Sequence, residues 1–187
     1  MTEPGRQTYL LVDGENIDAT LGTSILQRRP QPEERPRWDR VLSFCEAQWD
    51  QPVTGLFFLA ANSDLPVAFV QALLAIGYRP IPLSGRPDQK VVDIAVQRTL
   101  DALVEREADV LLVSHDGDFL AQVEALTGGG RRVGVMAFPE FRSRSLSNLS
   151  AQGVEFFDLE SDVGAFNVSL PRVRVIPIEE FDPIAFL

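Results

Sequence analysis

The sequence predicts an α/β fold: a doubly wound, mainly parallel sheet with helices on both faces. Short apolar runs at residues 8–12 and 110–113 are typical of strands that are buried on both faces of such a sheet. Segments with helical spacing alternate with these runs, and the connections between strands are too long for hairpins. A chain of 187 residues with 45% hydrophobic content is long enough for one such domain with a substantial core.

The predicted elements alternate along the chain. Strands are expected at residues 8–12, 53–60, 78–83, 110–113, 132–138 and 154–159. Helices are expected at residues 17–27, 38–50, 67–76, 91–106, 119–126 and 143–151. The clearest helical pattern is that of residues 91–106, where Val92, Val96 and Leu100 share one face. The charged, proline-rich segment 28–37 is expected to be an exposed loop, and the prolines of segment 78–83 place that strand near an edge.

Composition restricts the classes of function. The net charge of −10 argues against a basic nucleic-acid interface, although residues 155–187 carry seven acidic residues against two arginines, 7 − 2 = 5, which is half of that charge. Cys45 is the only cysteine and His115 the only histidine, so a disulfide within the chain and a Cys/His zinc site are excluded. No apolar run is long enough to span a bilayer and no basic-then-apolar leader opens the sequence, so we expect a cytoplasmic protein without a membrane partner.

Acidic residues stand at three positions that this fold can bring together. Asp13 follows the first strand, Asp116 and Asp118 follow strand 110–113, and Asp93 lies in the first turn of the intervening helix. Ligands of open α/β sheets collect in the crevice at the carboxyl ends of the strands. Carboxylates that are crowded there repel each other unless a cation compensates, and Mg²⁺ or Mn²⁺ suits oxygen ligands. Each aspartate also has a plainer interpretation as a turn or capping residue, Asp118 above all for the helix at residue 119. Asn16 or Asp18 is expected to cap the first helix.

Three motifs carry a resemblance to a known family. The motifs VDGEN at residues 12–16, KVVD at 90–93 and SHDGDF at 114–119 resemble the NYN domain family of PIN-like ribonucleases, including its LabA-like bacterial branch, over residues 9–159. The resemblance implies a Rossmann-like PIN fold and divalent-metal-dependent hydrolysis of RNA phosphodiester bonds. The catalytic and metal-binding set that it implies is Asp13, Asp93, Asp116 and Asp118, with Mg²⁺ or Mn²⁺ as cofactor and RNA, single-stranded or structured, as substrate.

Three further residues are candidates for contacts to substrate or to these carboxylates. Asn16 matches the family's amide position, and Asn16 or Ser114 could orient a carboxylate or a substrate phosphate. Lys90, the only lysine, could neutralise a phosphate oxygen or simply pair with Asp93 or Asp88. His115 departs from the small residue expected there. It is interpreted as a solvated or hydrogen-bonded turn residue in preference to a general base.

The chain divides into a catalytic domain, residues 1–159, and a tail, residues 160–187. The tail contains prolines but is too apolar for a typical disordered segment, so we expect it to pack on the domain or on a neighbouring subunit of a homodimer. Residues 173–178 are expected to add a strand or to dock on that subunit. The alternative function is a catalytically silent PIN-like module that binds nucleic acid or protein for regulation, which the acidic net charge and the single lysine favour.

Overall fold

The computed structural model of the protein describes residues 6–62, 64–173 and 175–187. Within these residues the strands form one sheet, and all of its neighbouring strands run parallel. This confirms the predicted α/β class. The strands are β1 Gln7–Asp13, β2 Val53–Ala60, β3 Arg79–Leu83, β4 Ala108–Val113, β5 Val133–Ala137 and β6 Glu155–Asp158.

The strand order is β3-β2-β1-β4-β5-β6, so β1 lies at the centre of the sheet. Val12 of β1 stands opposite Phe57 of β2 and Val113 of β4. The chain moves from β1 outwards to β3 and then returns to add β4 on the other side of β1. The order therefore reverses between β1 and β4, which is the position where doubly wound sheets open a crevice for ligands. Asp13 ends β1, and the SHDGDF motif follows β4 directly.

Helices connect the strands as predicted, with differences at their ends. They are α1 Gly14–Thr20, α2 Trp38–Trp49, α3 Val67–Ala75, α4 Val91–Val104, α5 Leu120–Leu126 and α6 Arg144–Ser147. The first predicted helix begins earlier than expected and changes to a π-helix over Leu21–Leu26. The last is a short α-helix that continues as a 3₁₀ helix over Asn148–Gln152. The predicted loop 28–37 contains a single 3₁₀ turn, Pro32–Glu34.

The sheet has a hydrophobic core on each face. Alternate residues of β1 point to opposite faces, so Leu10 and Val12 belong to one core and Leu11 to the other. Helices α1, α2 and α3 cover the first face, and α4, α5 and α6 cover the second. The strand Arg79–Leu83 pairs only with β2 in the described sheet and so lies at its edge, as its two prolines predicted.

The folded body continues past residue 159. Val163, Ala165, Phe166 and Leu170 are buried in the first core. Beyond them residues 175–187 are exposed and contain two 3₁₀ turns, Ile178–Glu180 and Pro183–Phe186. The described residues of segment 173–178 form no strand, so the added strand is not found, and docking on a second subunit stays a prediction. Among the described helices, none combines the length and apolar character that crossing a membrane requires.

Candidate functional site

Three carboxylates meet at the carboxyl edge of the sheet, beside the crevice between β1 and β4. Asp93 comes from the first turn of α4, and Asp116 and Asp118 come from the loop after β4. One carboxylate oxygen of each lies within 4.8 Å of the other two. Asp93 and Asp116 are half-buried and Asp118 is exposed, so the group is open to solvent on one side. We call these three residues the acid cluster.

Asp13 lies next to the acid cluster but is not one of its three members. Its side chain is buried and accepts hydrogen bonds from the backbone N–H of Asn16 at 3.3 Å and from the Ser114 hydroxyl at 3.0 Å. Burial raises the pKa of Asp13 to about 6, although the two hydrogen bonds lower it. The negative charge of Asp93 contributes to the increase. The bond from Asn16 makes Asp13 the N-cap of α1, so the prediction that Asn16 or Asp18 caps this helix was wrong.

Ser114 connects Asp13 to the acid cluster. Its side chain is fully buried, and its hydroxyl oxygen accepts the backbone N–H of Asp116 at 3.2 Å while donating to Asp13. Asp116 in turn accepts the backbone N–H of Asp118 at 2.8 Å and caps the 3₁₀ helix Gly117–Phe119. Asp118 does not cap the following helix α5, whose N-cap is Phe119 without a side-chain bond; the capping aspartate is Asp116, one 3₁₀ turn earlier. Because Asp116 is held by its own turn, its carboxylate has a defined direction.

His115 is a buried structural residue. Its Nε2 accepts the backbone N–H of Phe138 at 2.8 Å, so the ring proton is on Nδ1, which donates to Asn16 Oδ1 at 3.0 Å. The ring also stacks on Phe138 with centroids 5.5 Å apart, and burial lowers the pKa of His115 to about 4. Both ring nitrogens are thus occupied within the protein. The hydrogen-bonded interpretation is confirmed, whereas a solvated ring or a general base does not fit.

Asn16 is oriented by this histidine. Its amide oxygen accepts both the backbone N–H of His115 at 2.8 Å and the Nδ1–H of the same residue. The oxygen is therefore committed, and the amide NH₂ group is the part of Asn16 that remains to donate to a ligand oxygen.

Lys90 provides the cationic side chain beside the acid cluster. Its Nζ lies 3.5 Å from Asp93 and 3.9 Å from Asp118, while the lysine side chain is 74% exposed. Asp88 pairs instead with Arg86 at 3.6 Å, so of the two predicted partners of Lys90 it is Asp93 that the structure shows. Burial raises the pKa of Asp93, and the charge of Lys90 opposes that rise without cancelling it. Three carboxylates against one ammonium leave a formal charge of −2.

The donor set fits a hard divalent cation. All three groups offer carboxylate oxygens, and no histidine or cysteine belongs to the cluster. Oxygen-only sites with acidic side chains suit Mg²⁺ and Mn²⁺. A cation of charge +2 would balance the formal charge that Lys90 leaves. The acid cluster is therefore able to hold such an ion.

A second group of carboxylates, which the sequence did not predict, lies on the same edge of the sheet. Arg172 lies buried among three of them, bonded to Glu140 at 2.6 Å, to Asp158 at 2.8 Å and to Glu160 at 3.0 Å. We call these four residues the arginine cluster. The signal available in the sequence was the same as for the first group, because Glu140 follows β5 and Asp158 ends β6. Nothing local indicated that an arginine from the tail would reach them.

Comparison with known proteins agrees with this architecture. The sequence model of the NYN domain family matches residues 7–160 of the chain. Among solved structures, a protein of unknown function from Vibrio parahaemolyticus has a similar fold, with a TM-score of 0.65 and 19% sequence identity over 87% of this chain and 98% of that one. At this identity the likeness supports the fold alone. The search of curated proteins gave no match.

Proposed function

Because the chain belongs to the NYN domain family, which has a nuclease fold, we propose that it is a divalent-metal-dependent ribonuclease that hydrolyses RNA phosphodiester bonds. The observation that carries the proposal is the acid cluster, whose three carboxylate oxygens lie within 4.8 Å of one another at the carboxyl edge of the sheet. Crowding like charges in this way costs stability, which a bound cation would recover.

In this proposal Asp93, Asp116 and Asp118 hold Mg²⁺ or Mn²⁺, and the buried Asp13 beside them completes the catalytic acid set. When bound, such an ion polarises a phosphate oxygen and lowers the pKa of water towards the range of a nucleophile. The residues of the chain set the geometry. Ser114 holds Asp13 and the turn of Asp116 in fixed relation through its two hydrogen bonds, at 3.0 and 3.2 Å.

Substrate contacts are assigned to the two polar groups that remain available. Lys90 is exposed at the rim of the acid cluster, so its ammonium group can swing from Asp93 to a phosphate oxygen of RNA. Asn16 offers its NH₂ group, since His115 occupies the amide oxygen. Ser114 is buried and acts on the carboxylates, not on phosphate.

Two finer assignments belong to the same proposal. We place the chain in the LabA-like bacterial branch of the family, on the motifs VDGEN, KVVD and SHDGDF. We also place its action in the cytoplasm, where RNA substrates are available.

The first prediction tests the ribonuclease directly. Purified protein is incubated with single-stranded and structured RNA in Mn²⁺, in EDTA and as the Asp93→Asn variant. We expect cleavage in Mn²⁺ that EDTA abolishes and that Asp93→Asn lowers by about two orders of magnitude, as when one group that stabilises a transition state is lost. The matched control is Asp101→Asn, the same change at an exposed position of the same helix, which should cleave normally. Cleavage that is unchanged in EDTA or in the Asp93→Asn variant would contradict the metal mechanism.

The second candidate function is the catalytically silent module that binds nucleic acid or protein. The net charge of −10 and the single lysine favour the form of this module that binds protein, because RNA binding normally recruits a basic surface. The same assay separates the two candidates. A protein that binds RNA but leaves every substrate intact in Mn²⁺ would support the regulatory module.

A further inference from the structure

The segment 141–144, with the sequence FRSR, lies directly against the loop of the acid cluster. We call it the FRSR segment. The backbone N–H of Ser143 donates to the carbonyl oxygen of His115 at 3.3 Å. The Ser143 side chain packs on Gly117, the glycine between the two loop members of the acid cluster, so closely that a Cβ at this glycine would stand 2.8 Å from the Ser143 hydroxyl oxygen. A ligand bound by the acid cluster therefore has the FRSR segment beside it.

The two arginines of the FRSR segment carry charge that the protein does not neutralise. Arg144 is exposed and Arg142 is half-buried, and no carboxylate among the described residues forms an ion pair with either. The carboxylates of the arginine cluster lie next to the segment, but they are bonded to Arg172 and at most 25% of each side chain is exposed. The charge that the segment presents to solvent is therefore positive.

Arg142 is held in place without a bonded anion. Its Nε donates to the Ser147 hydroxyl at 2.9 Å, and its guanidinium lies over the Phe156 ring at 4.0 Å from the centroid. Burial lowers the pKa of Arg142, and the charge of Asp158 opposes this shift without cancelling it. The guanidinium is thus fixed in direction and partly desolvated. A phosphate group would restore the lost solvation and accept charge-assisted hydrogen bonds from the two Nη groups.

Phe141 adds an aromatic surface to these charges. Its side chain is 37% exposed, whereas Phe119 and Phe138 at the same edge of the sheet are buried. Its ring contacts no other aromatic ring within the described residues. Proteins bind single-stranded nucleic acid by stacking bases on such rings while arginines contact the phosphates. The bases of a duplex are already stacked on each other and offer no free face to a ring.

We propose that the FRSR segment binds single-stranded RNA beside the acid cluster. Phe141 stacks on a base, while Arg142 and Arg144 bond phosphate groups of the same strand. The proposal rests on the ribonuclease function proposed above and specifies its substrate as a single strand. It also explains how a chain of net charge −10 binds RNA, since the basic contact is confined to one short segment.

Fluorescence anisotropy tests RNA binding by the segment separately from cleavage. The probes are a fluorescein-labelled oligouridylate and a labelled duplex RNA of the same length. Binding is measured in Mn²⁺ with the wild-type chain and with Asp93→Asn, which is expected to cleave the probe slowly and serves as the parent of the variants. We expect the single strand to bind more tightly than the duplex. Phe141→Ser should weaken single-strand binding by about tenfold, as when one stacked base is lost, and Phe141→Trp should keep it.

The salt dependence of binding tests the two arginines. Arg142→Met and Arg144→Met should each make the slope of log affinity against log salt concentration shallower by about 0.7, the contribution of one phosphate contact. Arg144→Lys keeps the charge and should keep the slope. Because Arg142 packs on Phe156, the exposed Arg144 provides the variant that does not disturb this contact. Arg98→Met, at an exposed position of α4, is the matched control and should change neither the affinity nor the slope.

The outcomes distinguish this proposal from the ribonuclease itself. If the wild type cleaves RNA but the variants of the FRSR segment bind like their parent, this proposal alone is wrong. If the chain binds RNA through the segment and cleaves none, the proposal is supported and the ribonuclease is wrong. Equal binding of single strand and duplex, or no binding of either probe by the wild type, would also overturn the proposal. Weaker binding in Phe69→Ser but not in Phe141→Ser would overturn it in favour of a base site on α3, where Phe69 is similarly exposed.

Discussion

The acid cluster and the arginine cluster each place three carboxylates at the same edge of the sheet, but they are neutralised differently. In the arginine cluster the guanidinium of Arg172 is buried and bonds all three at 2.6 to 3.0 Å. Burial alone would raise the pKa of Asp158, but the hydrogen bonds and charge of Arg172, together with backbone N–H bonds from Glu160 and Ser161, outweigh burial and lower the pKa. In the acid cluster burial raises the pKa of Asp93, and the exposed Lys90 does not compensate.

This difference separates a structural group from a candidate site. A buried guanidinium supplies the arginine cluster with its own cation and fills the lone pairs of its carboxylates, so no external ion is needed there. The acid cluster has the same number of carboxylates but an exposed, mobile lysine at 3.5 and 3.9 Å. Its charge is therefore left for a ligand from solution to balance. Counting acids at a sheet edge is therefore not enough to propose a metal site, because the position of the nearest cationic side chain must be considered as well.

The largest expected effect comes from removing the internal cation. Arg172→Met leaves three carboxylates facing each other around an apolar side chain. We expect it to lower the free energy of unfolding by about 3–5 kcal/mol, the cost of breaking a buried ion pair from one side. Urea unfolding measures this loss. Arg86→Met breaks an exposed pair with Asp88 and should cost about 0–1 kcal/mol. Equal losses in the two variants would show that the arginine cluster does not stabilise the fold.

The next effect is stabilisation of the acid cluster by an added ion. A ligand that binds only the folded state at a hundred times its Kd contributes about 2.7 kcal/mol. We therefore expect Mn²⁺ to raise the Tm of the wild-type protein in a thermal unfolding scan. Asp118→Asn should remove most of that increase, because the exposed Asp118 side chain is one of the three proposed ligands and has no part in the core. Asp101→Asn should keep it. If Mn²⁺ raised the Tm of Asp118→Asn as much as that of the wild type, the ion would bind at another site.

The arginine cluster and Asp13, beside the acid cluster, should also respond to acid in opposite directions. The folded-state pKa values of Asp158 and Glu140 lie below their ordinary values of 3.8 and 4.5, because the bonds from Arg172 outweigh burial. Their stabilisation is present above those ordinary values and is lost as the pH falls through the lowered ones. Asp13 behaves in the reverse way, since burial raises its pKa to about 6 and protonation relieves the cost of burying its charge.

We therefore expect the free energy of unfolding to stay constant or to rise slightly as the pH falls below 6. Below a pH of about 4.5 it should decrease. Urea unfolding at a series of pH values, without added metal, measures the profile. Arg172→Met is the matched comparison, because its carboxylates lose the part of the pKa lowering that Arg172 supplies. The difference in the free energy of unfolding between wild type and Arg172→Met should decrease as the pH falls. A difference that does not change with pH would contradict the role given to Arg172.

Much of the architecture follows from local patterns. The run 110–113 predicted β4 because four apolar residues in a row suit a strand that is covered on both faces. The acids of the three motifs were expected to meet because carboxyl ends of parallel strands share one edge, and the structure brings Asp93, Asp116 and Asp118 within 4.8 Å. Asp13 was predicted as an equal member of this set, whereas the structure buries it beside the other three.

The remaining features depend on contacts that are distant in sequence. His115 is explained by Asn16 and Phe138, which lie 99 and 23 residues away, so its neighbours in SHDGDF gave no indication of its role. The start of α1 was misplaced because the spacing of Ile17 and Leu21 indicates only which face is buried. Arg172 reaches Glu140 across 32 residues from a segment without periodic pattern. A single sequence shows which side chains are available but not which distant ones will pair.

The smallest expected effect on stability comes from removing the exposed cation of the acid cluster. This variant tests most directly how the acid cluster differs from the arginine cluster. Lys90→Met should change the free energy of unfolding by less than about 1 kcal/mol, since the Lys90 side chain is 74% exposed in both of its ion pairs. It should also tighten Mn²⁺ binding, measured by calorimetry, because the ammonium group no longer competes for Asp93. At the same time it should weaken the binding of RNA, which loses a partner for phosphate. Arg98→Met, on the same helix, should change neither affinity. Weaker Mn²⁺ binding in Lys90→Met would mean that the lysine organises the carboxylates, so that the acid cluster resembles the arginine cluster after all.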